Sequence, residues 1–253
     1  MIYWKNNGEQ IVDVIHPSVI FHNKKYWMAY TPFPNQDIKK ENPSILVSDN
    51  GIEWEEPCKN PLVSSPENGY NNDPFLIYDN GFRIYYRHYY LDNSGQEYGS
   101  LKLLTSPDGE NWEEPKEIYL VKGVWVSPCI LDNSLWFVRA QVLKKGQPQI
   151  PVGIFYIDNI IEGEKKVNID IPFSYPWHFE IRKEKDLYRM ALSMFHQNEY
   201  HLFNATSPDK IKWNIEPLPL LKSYKASIIK EDKLKIWYSF LENNRWVIHY
   251  FEI

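Results

Sequence analysis

Apolar positions along this chain come in short runs, rich in Val, Ile, Tyr, Phe and Trp, broken by clusters of Gly, Pro, Asn, Asp and Ser. They hold no 3.6-residue period over a useful length, so strands are expected and helices are not. One unit repeats: a polar residue, often followed by Pro, then an apolar run, a turn and an aromatic-rich second run. Its copies include His16-Pro17-Ser-Val-Ile-Phe with Tyr26-Trp-Met-Ala-Tyr30, and Asp73-Pro74-Phe-Leu-Ile-Tyr with Phe82-Arg-Ile-Tyr-Tyr-Arg87. A third is Ser127-Pro128-Cys-Ile-Leu with Leu135-Trp-Phe-Val-Arg139. Two more lack the proline: His178-Phe-Glu-Ile with Leu187-Tyr-Arg-Met-Ala, and Lys225-Ala-Ser-Ile-Ile with Leu234-Lys-Ile-Trp-Tyr238. Asp79-Asn80-Gly81 and Asp132-Asn133-Ser134 supply hairpin-turn residues between the runs.

A second motif follows the strand pairs. It reads Ser48-Asp-Asn-Gly51-Ile-Glu-Trp54-Glu-Glu-Pro57, then Ser106-Pro-Asp-Gly109-Glu-Asn-Trp112-Glu-Glu-Pro115, and more loosely Ser207-Pro-Asp-Lys210-Ile-Lys-Trp213-Asn-Ile-Glu-Pro217. Pro sets φ for a tight turn, Gly accepts positive φ, and the Trp packs back across the turn. The tryptophans recur at multiples of about 50 residues, the period of a propeller blade. Copies starting near residues 16, 73, 127, 178 and 225 therefore predict an all-β, five-bladed β-propeller, a single domain over 1–253. The last copy supplies three strands before Ile253, the final one being 245–253. Its missing fourth is expected from the N-terminal Ile2-Tyr-Trp4, which would close the ring and remove an open edge.

Composition narrows the partners. The 28 Lys and Arg against 33 Asp and Glu leave a net charge of −5, without basic clusters, which argues against a nucleic-acid surface. No apolar run long enough to span a membrane and no signal-like N-terminus is seen, so a cytoplasmic protein with no membrane partner is expected. Cys58 and Cys129 do not make a disulfide framework. Cys129, in an apolar run, reads as a small core residue.

The units Asn72-Asp73-Pro74, Arg83-Ile-Tyr-Tyr-Arg87 and Ser106-Pro-Asp-Gly-Glu-Asn-Trp112 resemble the five-bladed propeller glycoside hydrolases of family 43 and relatives, across nearly the whole chain. The resemblance implies a glycoside-binding axial pocket and three acids at strand starts: a general base Asp, a supporting Asp and a general acid Glu. Only Asp73 is present here; His16 and Ser127 stand in the first and third blades. The pair of carboxyls that glycoside hydrolysis normally needs is thus not visible at matching positions.

Aligned repeats place His16, Asp73, Ser127, His178 and Lys225 around the axial mouth. A second tier comes from returning strands: Tyr30, Thr31, Arg87, His88, Arg139, Gln141, Ser193 and Ser239, of which alternation turns only some inward. Asp73 would tune the site, while His16, or Glu180 on the same strand face as His178, would handle a proton. Arg87 and Arg139 lie in aromatic and apolar strands and offer planar forks for a carboxylate or phosphate. Trp125 and Trp177 precede inner strands and suit stacking on a sugar or base. Asp37 and Glu41, in the polar loop 34–42, read mostly as solvated residues that could fold over the mouth. His16, Asp73 and His178 could ligate a metal, but their chain spacing carries no metal signature, so no metal is expected. No cofactor is indicated; the resemblance allows an axial Ca²⁺. Two functions stay open: a glycoside hydrolase-like protein, with a possible taste for anionic sugars, or a non-catalytic propeller that captures a small anionic sugar or nucleotide. In both the partner is a small-molecule carbohydrate or anionic ligand.

Overall fold

The computed structural model describes residues 10–141, 149–158, 163–169, 175–196 and 198–253. In chain order the strands are β1 (Gln10–Val12), β2 (Val14–His22), β3 (Lys25–Pro32) and β4 (Ser44–Ser48), then β5 (Tyr70–Tyr78), β6 (Phe82–Leu91), β7 (Glu97–Ser106) and β8 (Lys116–Lys122). They continue with β9 (Trp125–Leu131), β10 (Ser134–Gln141), β11 (Ile150–Ile157) and β12 (Lys165–Lys166). Next come β13 (Tyr175–Lys183), β14 (Tyr188–His196), β15 (Glu199–Ser207), β16 (Asn214–Ile215) and β17 (Leu221–Lys222). The last are β18 (Lys225–Lys230), β19 (Leu234–Glu242) and β20 (Arg245–Glu252).

These strands form five antiparallel sheets, the blades of a propeller, with orders β2-β3-β4, β5-β6-β7-β8, β9-β10-β11-β12, β13-β14-β15-β16 with β17 on β15, and β18-β19-β20-β1. The ring closes through an N-terminal strand, as expected, but that strand is β1, which pairs Gln10 to Val12 with His249 to Val247. The anticipated Ile2–Trp4 lies outside the described residues. Helical structure among the described residues is limited to two 3₁₀ turns, Pro34–Gln36 and Ile38–Lys40. Among the described residues, no helix is long and apolar enough to cross a membrane. Both cysteines are free.

The core lies between blades rather than inside any of them, because each sheet must cover both faces. The largest cluster joins blades 2, 3 and 4 through Phe75, Trp125, Trp136, Phe137, Phe179 and Phe203. The repeated turn is part of this packing. Ser48 and Ser106 hydroxyls accept the Gly51 and Gly109 amides at 2.8 Å, and Trp112 and Trp213 indoles donate back to residues 109 and 210 at 3.0 Å. Gly109 has φ +83°, and a Cβ there would stand 2.5 Å from the Trp27 ring of the neighbouring blade. The motif's glycine therefore serves both the turn and the blade contact.

The inner strands β2, β5, β9, β13 and β18 surround the axis and are stitched to one another. Ser18 Oγ accepts the Leu76 amide and Ser227 Oγ accepts the Val19 amide, both at 2.9 Å. Cys129 Sγ sits 3.4 Å from the Ile181 amide and 3.3 Å from its carbonyl. Burial pushes the Cys129 thiol up to about 12, consistent with a core role and not with a nucleophile.

Candidate functional site

The mouth of the axis is made by bulges. Each of the first four inner strands breaks register with its partner, at Ile15/Ser18, Asn72/Phe75, near Ser127, and at Pro176/His178. His16, Asp73 and Ser127 occupy the left-handed region, with φ 62°, 52° and 56°, each just before a proline. A bulge re-aims a side chain that the regular pleat would send elsewhere. In the fifth blade Lys225 pairs regularly with Ser239.

The result is a buried polar cluster centred on Asp73, which is fully buried. Its Oδ1 lies 3.4 Å from His16 Nε2, 3.4 Å from His178 Nδ1 and 3.5 Å from Lys225 Nζ. Its Oδ2 accepts the Ser127 amide at 3.2 Å. The Ser127 hydroxyl is 2.6 Å from His178 Nδ1, and His178 Nε2 is buried with no partner. Ligating atoms of His16, Asp73 and His178 all lie within 4.8 Å of one another, although the residues are far apart in the chain.

His16 has polar neighbours at both ring nitrogens. Its Nδ1 is 3.0 Å from Thr31 Oγ1 and 3.4 Å from Glu41 Oε2, and its Nε2 is 3.4 Å from Asp73 Oδ1. Thr31 Oγ1 also lies 3.4 Å from the Ile15 carbonyl, to which it can donate. With the ring proton on Nδ1, donated to Thr31, Nε2 turns a lone pair toward the Asp73 carboxylate, an arrangement that a cation completes; with it on Nε2, the ring donates to Asp73.

Charge states agree. Burial pushes His16 down to about 3, with Lys225 and Arg87 adding to the effect against the pull of Asp73. His178 is likewise held well below its usual range by burial. Burial alone would raise the Asp73 carboxyl, but His16, His178, Lys225 and Arg87 around it win, and it stays ionised. Two neutral imidazoles and one carboxylate are the protonation states that a metal ligand set requires. Thr31 at His16 Nδ1 and Ser127 at His178 Nδ1 are polar partners that fix the two ring orientations. Lys225, whose ammonium also lies 3.4 Å from the Pro74 carbonyl, shares Asp73 Oδ1 with this set.

Not every anticipated residue is in this cluster. Tyr30 is fully buried in the hydrophobic core between blades 1 and 5, because strand parity gives the axial side to Thr31 instead. Arg139 forks onto Glu164, with Nε at 3.1 Å from Oε2, and Nη1 donates to the Lys122 carbonyl. Arg87 is buried and spent on the Asn72 side chain at 2.8 Å and the Trp125 carbonyl. Glu180 lies one level below the mouth, taking the Ser227 hydroxyl and, at 3.0 Å, Arg182 Nε. Trp125 is buried against Gly99, to whose carbonyl its indole donates at 3.1 Å. Trp177 stays at the mouth, with its indole donating to Tyr224 OH at 3.0 Å.

Glu41 and Tyr224 join the cluster from outside the repeat pattern. Asp37 caps the second 3₁₀ turn by accepting the Lys39 amide at 3.0 Å, and the chain then swings Glu41 inward to 4% exposure. Burial, then the nearby Asp73 charge, pushes the Glu41 carboxyl well above its usual range. The Tyr224 ring packs 4.5 Å from His178 and 5.9 Å from His16. Neither residue has a periodic sequence signal; only a polar loop and the position before Lys225 mark them.

No protein-family model matches the chain. It is 28% identical over 137 residues to an A type blood N-acetyl-alpha-D-galactosamine deacetylase of Flavonifractor plautii; the match spans half of this chain and 18% of that protein. The crystal structure of an N-acetylgalactosamine deacetylase from F. plautii, in complex with blood group B trisaccharide, superimposes with a TM-score of 0.76 over all of this chain and 92% of that one, at 20% identity. A thermostable family-43 glycoside hydrolase gives 0.66 over 99% and 92%, at 15% identity. A third, RS223-Beta-xylosidase, gives 0.67 over 95% and 92%, at 12% identity. The chain thus has the five-bladed fold of the family-43 hydrolases that it resembles in sequence, and the proteins it is similar to are carbohydrate-active.

Proposed function

We propose that this propeller hydrolyses the N-acetyl group of an amino sugar held at its mouth. The observation that carries the reading is the buried trio in which His16 Nε2 and His178 Nδ1 each lie 3.4 Å from the ionised Asp73 carboxylate, with ligating atoms of all three within 4.8 Å of one another. A second support is the likeness to a named deacetylase. The His16 and Ser127 substitutions leave the family-43 carboxyl pattern incomplete, which favours amide over glycoside cleavage.

Asp73, His16 and His178 would hold one divalent cation. Such a cation supplies Lewis-acid polarisation of the amide carbonyl. Thr31 keeps the His16 proton on Nδ1, and Ser127 orients His178. Glu41, beside His16, would in its ionised form take a proton from the attacking water and return it to the departing amine as the C–N bond breaks and acetate leaves. Tyr224 and Trp177 wall the mouth with ring faces suited to a sugar.

The test measures metal content and acetate release together. Purified protein loaded with Zn²⁺, Mn²⁺ or Co²⁺ should retain about one equivalent after desalting, and lose it in Asp73→Asn. It should also release acetate from N-acetylgalactosamine glycosides, with release abolished by chelator. Protein that retains no metal and releases no acetate from any N-acetylated glycoside sinks the proposal.

Lys225 favours a second reading. Its buried ammonium balances Asp73 without a metal, which suits a non-catalytic pocket for an anionic sugar or nucleotide. That reading expects uronates, sialic acids or nucleotides to raise the melting temperature equally with and without chelator.

A further inference from the structure

The upper face of blade 2 carries an aromatic stack that the cluster at the mouth does not use. Along β6, Phe82, Ile84, Tyr86, His88 and Tyr90 share one face of the sheet. The first three are buried against Trp27, Ala29 and Val47 of blade 1. His88 and Tyr90 run past that cover and are only half-buried. Tyr90 pairs across strands with Tyr98 of β7. The rings lie nearly parallel: His88 and Tyr90 are 5.3 Å apart at 28°, and Tyr90 and Tyr98 are 5.6 Å apart at 19°.

A cavity of about 390 Å³ opens beside this stack, with His88 as the shared member. Its wall combines Val63 and Pro66 with the polar ends of Asn71, Lys102 and Glu114. That volume falls in the range of small-molecule sites. A pyranose ring has an apolar C–H face and an edge of hydroxyls. Flat rings match the first, and the Lys102 ammonium and Glu114 carboxylate match the second. The cavity is also wired to the mouth. His88 Nδ1 is 3.0 Å from Asn71 Oδ1, and Asn71 Nδ2 donates at 2.9 Å to Asn42, the residue after Glu41. Asn71 itself stands two positions before Asp73.

We infer that the His88–Tyr90–Tyr98 face and its cavity form a second carbohydrate subsite, which holds sugar rings of an extended glycan whose terminal residue occupies the mouth. The inference rests on the amino-sugar reading of the mouth and adds that the substrate is an oligosaccharide rather than a free monosaccharide. The direction of the chain follows from the Asn42–Asn71–His88 bridge, which puts the subsite on the Glu41 side of the cluster.

The experiment titrates a graded series of N-acetylated oligosaccharides, chitin-type and blood-group-A-type, from mono- to hexasaccharide, on a glycan array and then by calorimetry. It compares wild type, Asp73→Asn, Tyr98→Phe and the Tyr90→Ala/Tyr98→Ala double variant. Wild type should bind the longer members about tenfold more tightly than the monosaccharide, on the scale of two ring contacts. The double variant should lose that gain, Tyr98→Phe should keep it, and monosaccharide binding should be the same in all three. Failure of the deacetylase reading alone would leave the length-dependent gain in place in wild type and Asp73→Asn, without acetate release. Affinity independent of length in wild type, or a gain that survives in a folded double variant, overturns the subsite.

Discussion

The axis of this propeller has two levels, and two residues of inner strand separate opposite chemistry. At the mouth, His16, Ser127, His178 and Lys225 crowd the Asp73 carboxylate, and a buried imidazole nitrogen is left without a partner. One level down, Ser18, Cys129, Glu180 and Ser227 tie neighbouring blades together. Arg182 spans three of those blades, donating to Glu180, to Ser18 Oγ at 2.9 Å and to the Leu76 carbonyl at 2.6 Å. The strands are the same; the local backbone is not. Bulges disrupt the ladder at the upper level, while regular pairing from Phe179 to Lys183 carries the lower one. In the first four blades the upper polar groups thus sit beside a bulge and the lower ones on regular ladder, whereas Lys225 of the fifth blade reaches the mouth from an unbulged strand.

Substitutions at the two levels should separate activity from stability. The largest effect is expected for Asp73→Asn, which should cut acetate release by about a thousandfold or more while the circular dichroism of the sheet persists. Activity within tenfold of wild type would erase the distinction between levels. Glu180→Gln should do the reverse. It weakens the buried partner of Arg182 and Ser227, and should lower unfolding free energy by about 2–3 kcal/mol in urea titrations, with kcat per folded molecule unchanged. A Glu180→Gln protein that is stable and inactive would move the catalytic acid down one level.

Acid sensitivity should also map to the mouth. His16 titrates near 6.5 when unfolded and about 3 when folded, so the unfolded chain binds the extra proton between these values. Stability in chelator-treated protein should therefore be full above about pH 6.5 and fall as pH drops toward 3, by about 1.4 kcal/mol per unit from this group. His16→Gln should flatten that slope. Glu41 has the opposite sign: its carboxyl is raised on folding, so its stabilisation is present below about pH 4.5 and fades as pH rises. Glu41→Gln should accordingly melt higher than wild type at pH 8 and gain least at pH 4. The smallest effect is expected at the lower level from Cys129→Ala, about 1 kcal/mol, through lost packing and the contacts with the Ile181 backbone. No change in thermal unfolding would mean that β9 and β13 do not depend on that stitch.

The fold was legible because the chain repeats its turns. The turn serine accepts a backbone amide of its own turn in all three copies, and the Trp112 and Trp213 indoles donate back across theirs, so the recurring motif marks the blade period. The closing strand was less legible: Ile2–Trp4 and Gln10–Val12 are both short and apolar, and pairing with β20 is a tertiary choice. At the site, the axial five could be aligned from the repeats, but Tyr30 and Thr31 differ only in parity, which a bulge at residues 15–18 makes hard to count. Arg139 offered a fork for an anion, and the carboxylate it takes is Glu164, which lies in a different connection of the same blade and has no pattern to mark it. Glu41 was least legible. Its burial depends on two 3₁₀ turns and an Asp37 cap, none of which has a hydrophobic period to betray it.

The left-handed backbone at His16, Asp73 and Ser127 restricts the vocabulary available there. Asp and His are among the few side chains other than Gly that tolerate positive φ well, whereas β-branched or bulky ones do not. These are also residue types that coordinate cations and move protons. A strand geometry that excludes Val and Ile on steric grounds therefore enriches its tip in reactive groups before any substrate is considered. Those three stations therefore accept the exchange of one short polar group for another far more readily than a change to a branched apolar side chain.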